Sequence, residues 1–389
     1  GGPPVYNGGM ANSASRRDFL KGKAALGAVR DSIDEVLDEV LDGSPDGSPE
    51  DGTLGSAPPP AGPLLTLSRK AMACDFEVCL NASPDENHTD AALAALDLVQ
   101  RLESQLTVYR PDSEVMAINR SAAAGPVAVE PRLFAVLEWM DRLHRLTGGA
   151  YDGASGPLSA AWGFSRRDGR VPTDAELDDA RDRVGWDRVQ LDQLAKTIAF
   201  AEAGVEINLN SVGKGYALDR AAELLFQNDV DAFLVQGGRS TLVARGSRRR
   251  ADAEQADAVS GDGWGVGLRH PLRPAVRIAE FRLRDAAFST SGSGTQAFVH
   301  QGKRYGHLLD PRTGWPAEGL HSVSVIAPTG AEADALSTAL YVMGADDGER
   351  FLADHPQWAA LFVEPGEHAG GVTLRPVNLA DDAWRALAR

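Results

Sequence analysis

At about residue 66 the chain changes character, and that break sets how much of it can pack into a domain. Before it lie GSPDGSPEDG (43–52) and SAPPPAG (56–62), runs of Gly, Ser, Pro and Asp. Such composition buries too little apolar surface to offset the entropy of ordering the chain. Residues 1–65 therefore read as a disordered N-terminal segment with a linker, and residues 66–389 as the folded domain. DSIDEVLDEVLDG carries Ile33, Val36, Leu37, Val40 and Leu41 at helical spacing, a short amphipathic helix that is marginal alone. SASRRDFLK (13–21) matches the twin-arginine export pattern. Only AALGAV follows it before Arg30 and Asp31, so the apolar h-region of a proper signal is missing. The expectation is a cytoplasmic protein, or one exported through this degenerate signal.

The 55 acidic residues outnumber the 39 basic ones, for a formal net charge of -16. Nucleic-acid binding neutralises phosphates with Lys and Arg, so this surface argues against it. It leaves room for a local anion pocket. No apolar run is long enough to span a membrane. Cys74 and Cys79 stand five apart on a strand pattern, on opposite faces, and are expected to be free thiols rather than a disulfide.

LLTLSRKAMACDFEVCL reads as two strands around a turn, residues 90–106 and 131–146 as helices, and Thr173 with Glu176 as a capping box. AFLVQGG (232–238) and HSVSVIAP (321–328) are strand-like, and the charged stretch 247–263 reads as a loop. The irregular alternation predicts an α+β, mixed α/β domain.

Four stretches carry candidate chemistry. In EINLNSVGKGYALD (206–219) an alternating segment turns into a helix through Gly213-Lys214-Gly215. Such a corner offers backbone N–H groups, a helix dipole and a cation to an anion, or is a tight turn with a solvated lysine. Asp334 and Thr338 are four apart on a predicted helix, so a carboxylate and a hydroxyl share a face, as a hard cation such as Mg²⁺ requires. The bland alternative is a helix-end charge and a packed threonine. GKRYGHLLDPRTGWP (302–316) gathers His307, Asp310 and Arg312, able to move protons and grip phosphate, or simply a well-packed turn. GGAYDGASGPLSAAWGF (148–164) has small residues and aromatics suited to a planar ligand, or is an ordinary Gly-rich loop. Ser211-x-x-Lys214 also matches the S-x-x-K of serine acyl enzymes, but no S-D-N equivalent follows and two glycines weaken the helix.

Taken in order, AMACDF, LTVYRPDSEVMAINR, YDGASGPLSAAWGF, SVGKGYALD, STSG, RYGHLLDPRTGWP and EADALSTAL resemble the motifs of the FAD:protein FMN transferases, the ApbE family, over residues 66–389. The resemblance implies the ApbE-like fold, a mixed, largely antiparallel sheet with surrounding helices. It implies transfer of FMN from FAD, with Mg²⁺, to a threonine of an acceptor flavoprotein, releasing AMP. Asp334 and Thr338, with the Ser211 carbonyl or hydroxyl, would hold Mg²⁺. Met72, Tyr109, Ala150, Tyr151, Asp152, Asn208, Lys214, His307 and Leu308 would line the FAD site. His307, Lys214 and Arg312 would be catalytic, His307 as general base. An FAD-binding protein without catalysis, or an FAD pyrophosphatase, are the alternatives on the same fold.

The departures are specific. Asn208 stands where the family has Asp. VQGGRS, with Gln236 and Arg239, replaces N-x-G-G-[DN]. Ser293 replaces a common Asp. Ala73 and Cys74 follow Met72 where the family reads M-G-T.

Overall fold

The turn between the first two strands forces its residues into an unusual backbone. The computed structural model describes residues 62–82, 88–166, 168–249, 263–292, 294, 296–368 and 370–387. The linker through residue 61, the export-like pattern, the 31–43 helix pattern, residues 250–262 of the charged stretch and Ser293 lie outside the described residues. Strands β1 (Leu64–Ala71) and β2 (Cys74–Asn81) form a hairpin closed by Met72 and Ala73 alone, at φ 49° and 61°. Left-handed backbone at both turn positions matches the twist of the flanking strands.

Helices α1 (Thr89–Leu106) and α2 (Glu114–Ser121) follow, then β3 (Val127–Ala128), α3 (Pro131–Leu146), α4 (Gly156–Ala161) and α5 (Asp174–Asp182). The chain continues through β4 (Val189–Asp192), β5 (Thr197–Phe200), α6 (Gly213–Gln227), β6 (Phe233–Gly237) and β7 (Thr241–Arg245). Next come β8 (Trp264–His270), β9 (Arg273–Leu283), β10 (Ala286–Gly292), β11 (Ala297–His300), β12 (Lys303–Gly306) and β13 (Ser322–Ala327). The last elements are α7 (Gly330–Met343), α8 (Ala345–Ala353), β14 (Ala359–Pro365), β15 (Val372–Val377) and β16 (Trp384–Ala386). The expected Thr173 box closes α5: Glu176 N–H donates to the Thr173 hydroxyl (3.3 Å) and Thr173 N–H to the Glu176 carboxylate (2.8 Å).

Eight strands form the main sheet in the order β1-β2-β6-β7-β10-β13-β14-β15, and every neighbouring pair is antiparallel. Successive strand residues point to opposite faces, so each strand feeds two cores. Val78, Val235, Ala287, Val325 and Phe362 pack under the helices. Their neighbours Cys79, Leu234, Phe288 and Leu361 pack with Trp264, Leu268, Phe281 and Leu283 of the small β16-β9-β8 sheet. The fold is therefore α+β in three layers. Cys79 lies in one core and Cys74 against the other, both unbridged.

The segment before α6 departs from a plain strand. Val205, Ile207 and Leu209 alternate and are buried, yet residues 205–209 join no ladder. Asn119 of α2 replaces the partner strand: its side-chain NH₂ donates to Ile207 O and its carbonyl accepts from Ile207 N–H, both 2.9 Å. Asn208 N–H donates to Gly153 O (2.9 Å), which ties the segment to the 148–164 loop.

Candidate active site

The Gly213-Lys214-Gly215 corner is the first turn of α6, and each glycine in it has its own surroundings. A Cβ on Gly215 would lie 2.0 Å from Gly330 O, and one on Gly330 would lie 2.5 Å from Gly215 O. Helices α6 and α7 thus touch backbone to backbone at their N-terminal ends. A Cβ on Gly213 would meet only Leu209 Cβ at 3.6 Å.

That close approach brings Asp334 of α7 onto the start of α6. Its Oδ2 accepts from Gly215 N–H (3.1 Å). Its Oδ1 accepts from the hydroxyls of Thr241 and Ser289 (3.2 Å each) and faces Lys214 Nζ at 3.5 Å. The Asp334 side chain is 6% exposed and that of Lys214 25%. The polar web extends further. The Thr241 and Ser289 hydroxyls are 3.0 Å apart, and Ser291 reaches Ser337 (2.8 Å) and Thr338 (3.3 Å). The Thr338 hydroxyl also donates to Asp334 O (3.4 Å). Thr241, Ser289, Ser291 and Ser337 were not predicted from the sequence. The S-T-S alternation of β10, which puts Ser289 and Ser291 on one face, is the signal that points to two of them.

Ser211 sits just before α6, and its hydroxyl is 3.1 Å from the Tyr151 phenol, which burial pushes well above its ordinary pKa. Lys214 has a different partner, so Ser211 and Lys214 do not form the hydrogen-bonded couple of a serine acyl enzyme. The thiol of Cys74 is raised by burial, with Lys214 pulling it down.

His307 lies within the field of Lys214. Burial holds its imidazole below the ordinary value, and the ammonium adds to this. Its Nδ1 is 3.0 Å from Gln296 O. A carbonyl only accepts, so Nδ1 carries the hydrogen and Nε2 keeps a lone pair. Leu308 is partly buried against the helix-side core, and its carbonyl accepts from Ala317 N–H (2.8 Å).

The other candidates have their own surroundings. Arg312 makes two 2.9 Å contacts to the Asp310 carboxylate. It borders a cleft of about 430 Å³ with His144, Gly149, Asp152 and Asp187. Asp152 is buried, and its oxygens accept from Ala154 N–H (2.7 Å) and Trp186 N–H (2.9 Å), with His144 at 3.5 Å. Burial raises its pKa, and its two N–H bonds tie the loop before α4 to the segment at Trp186. Ala150 is buried, Met72 is partly buried in the hairpin turn, and Tyr109 is 68% exposed on the α1–α2 connection. Among the departures, the Gln236 amide donates to Glu77 across β2 and β6, and the Asn208 side-chain Oδ1 accepts from Asn210 N–H (3.2 Å).

The oxygen-only donor set of Asp334, Thr338 and Ser211 suits a hard cation. Among the described residues no three His, Cys, Asp or Glu side chains gather to hold a metal. One carboxylate fits an ion such as Mg²⁺ that draws its remaining ligands from water and substrate phosphates.

Architecture and site together define an α+β protein in which a buried carboxylate meets a helix start and a lysine. The sequence model of the ApbE family matches residues 72–362, and the chain belongs to that family. It is 32% identical over 281 residues to the FAD:protein FMN transferase of Treponema pallidum, across 69% of this chain and 75% of that one. To the Haemophilus influenzae FAD:protein FMN transferase it is 29% identical, across 73% and 82%. The ApbE protein of Thermotoga maritima superposes with a TM-score of 0.71 at 29% identity, covering 81% of this chain and 97% of that one. Flavin transferase ApbE from Vibrio cholerae gives 0.69 at 26% identity, covering 81% and 98%. Among the described residues no helix is long and apolar enough to cross a membrane.

Proposed function

We propose that this chain is an FAD:protein FMN transferase that works with Mg²⁺ on a threonine of an acceptor flavoprotein. The carrying observation is Asp334, held at the start of α6 between Lys214, Gly215 N–H and two hydroxyls. A pyrophosphate needs cations and oriented N–H donors where charge grows during phosphoryl transfer. Lys214 supplies the cation and its own N–H in the first turn of α6, where Gly213 N–H is held by Leu209 O and Gly215 N–H by Asp334, and Asp334, Thr338 and Ser211 would hold the Mg²⁺. The bound ion would neutralise charge on the phosphoryl oxygens.

In the reaction the acceptor hydroxyl oxygen forms a bond to the FMN phosphorus, the bridging P–O bond breaks, and AMP leaves. The hydroxyl proton goes to Nε2 of His307, whose lowered pKa keeps it unprotonated at neutral pH. With water in place of the acceptor, the same groups would hydrolyse FAD to FMN and AMP.

The test incubates the chain with FAD and Mg²⁺, with and without EDTA, and separates FAD, FMN and AMP. AMP formation that needs the metal and falls roughly 100-fold or more in His307→Ala supports the reading. Unchanged turnover in His307→Ala would remove the base. FAD neither cleaved nor retained would remove the function.

A further inference from the structure

Asp334 rests on two buried hydroxyls from the main sheet. Thr241 of β7 and Ser289 of β10 are direct cross-strand partners, so the strand register sets their hydroxyls side by side, 3.0 Å apart. Both residues are 1% exposed. Each donates to Asp334 Oδ1 over 3.2 Å. The neighbouring Ser337 gives its proton to the Asp334 backbone carbonyl instead (2.9 Å). Thr290, one residue along β10, points to the other face, where its hydroxyl meets that of Ser324 (2.8 Å).

The lone pairs of the carboxylate are divided unequally. Each of its oxygens has two. Oδ1 spends both on the hydroxyls, and Lys214 Nζ stands off at 3.5 Å, beyond the roughly 2.7–2.9 Å of a charge-assisted bond. Oδ2 accepts from Gly215 N–H alone among the described residues (3.1 Å), and so keeps one lone pair. Shielded from water, a carboxylate and an ammonium attract strongly. Without the hydroxyls they would close on each other, and neither would be left for a ligand.

We propose that Thr241 and Ser289 are positioning residues that hold Oδ1 of Asp334 off Lys214. Oδ2 is then kept for a divalent cation and the ammonium for the FAD pyrophosphate. This rests on the Mg²⁺ reading above. Both side chains act through Asp334, as hydrogen-bond donors behind a metal-binding carboxylate do.

The probe is Mn²⁺, whose free-ion paramagnetic resonance signal disappears on binding. It is titrated onto the full chain with FAD present, with FAD alone as the blank. Denaturant titration checks that each variant is folded. Thr241→Val and Ser289→Ala should each weaken Mn²⁺ binding about tenfold or more. They test the same claim independently, so one that does not fold leaves the other to decide. Thr241→Ser, which keeps the hydroxyl, should hold the affinity of the unaltered chain, and so should Thr290→Val. Unchanged binding in a folded Thr241→Val or Ser289→Ala overturns the proposal. So does an equal loss in Thr290→Val or in Thr241→Ser, which would mark a general disturbance of the strands rather than lost support of Asp334. Failure of the unaltered chain to take up Mn²⁺ would instead strike the Mg²⁺ reading itself.

Discussion

The crossing of α6 and α7 has two carboxylates that face opposite ways and serve opposite ends. Asp219 reaches from α6 to the start of α7, accepting from Gly330 N–H (2.6 Å) and Ala331 N–H (2.9 Å). Asp334 reaches back from α7 to the start of α6, accepting from Gly215 N–H (3.1 Å). Each caps the other helix, yet only Asp334 also gathers an ammonium and two hydroxyls. A carboxylate met only by backbone donors is a fastener. One that also meets a cation and hydroxyls of other elements has partners that a phosphate or a metal can compete for. Burial alone therefore does not mark the functional group of the pair.

The sharpest way to break this comparison is the same substitution at both positions. Asparagine preserves shape and removes charge. Asp334→Asn should lower AMP formation from FAD by roughly 100-fold or more, as expected when a metal- or phosphate-facing charge is lost. Asp219→Asn should leave turnover within about threefold, since its partners are backbone N–H groups of α7 alone. Chromatographic AMP assays on the two variants decide it, and equal losses would erase the distinction.

The next effect is on stability. Gly215→Ala puts a Cβ 2.0 Å from Gly330 O, a backbone atom that cannot swing aside. Overpacking of this kind costs about 3 kcal/mol, which denaturant titration reads directly. A loss under about 1 kcal/mol would mean that the helices part easily and that the two caps, not the contact, hold them.

A third effect isolates the fastener. Burial pushes the Asp219 carboxyl up to about 7, against the pull of its two N–H donors. A folded-state value above the unfolded one adds stability in full below the unfolded pKa of about 4, and loses it as pH rises through about 7. Between pH 6 and pH 8 the chain should lose about 1 kcal/mol from this group. Asp219→Asn should flatten that slope in unfolding curves, and an unchanged slope would place the titration elsewhere.

How much of this was legible in the sequence follows the range of each contact. The β1–β2 hairpin, α1, α3 and the Thr173 box rest on neighbours in sequence and stand where the residue pattern put them. The spacing of Asp334 and Thr338 put both on one face of α7. The hydroxyls around Asp334 come from β7 and β10, 93 and 45 residues away, and the S-T-S alternation of β10 marks a polar face without naming the partner it meets. The segment at 205–209 reads as a strand by alternation, but its partner is the Asn119 amide, which no periodicity reveals. Arg312 shared a short motif with His307, yet the turn sends it to Asp310 and the His144 cleft.

The smallest effect asks what the twin glycines are for. A shared role in wrapping backbone around an anion would make both irreplaceable. The structure separates them, because a Cβ on Gly213 meets only Leu209 Cβ at an ordinary 3.6 Å, inside the protein. Its φ is not among the left-handed ones, so alanine fits the backbone as well. Gly213→Ala should then raise stability by about 0.5 kcal/mol through helix propensity, less than in a helix interior because this is the first helical position. FAD retention should stay unchanged, since the added methyl points to Leu209 and away from the N–H donors. A variant as stable as expected that no longer held FAD would show that the flavin's phosphates approach closer than a methyl allows. Gly213 would then be kept for the ligand, and Gly215 for the crossing of α6 and α7.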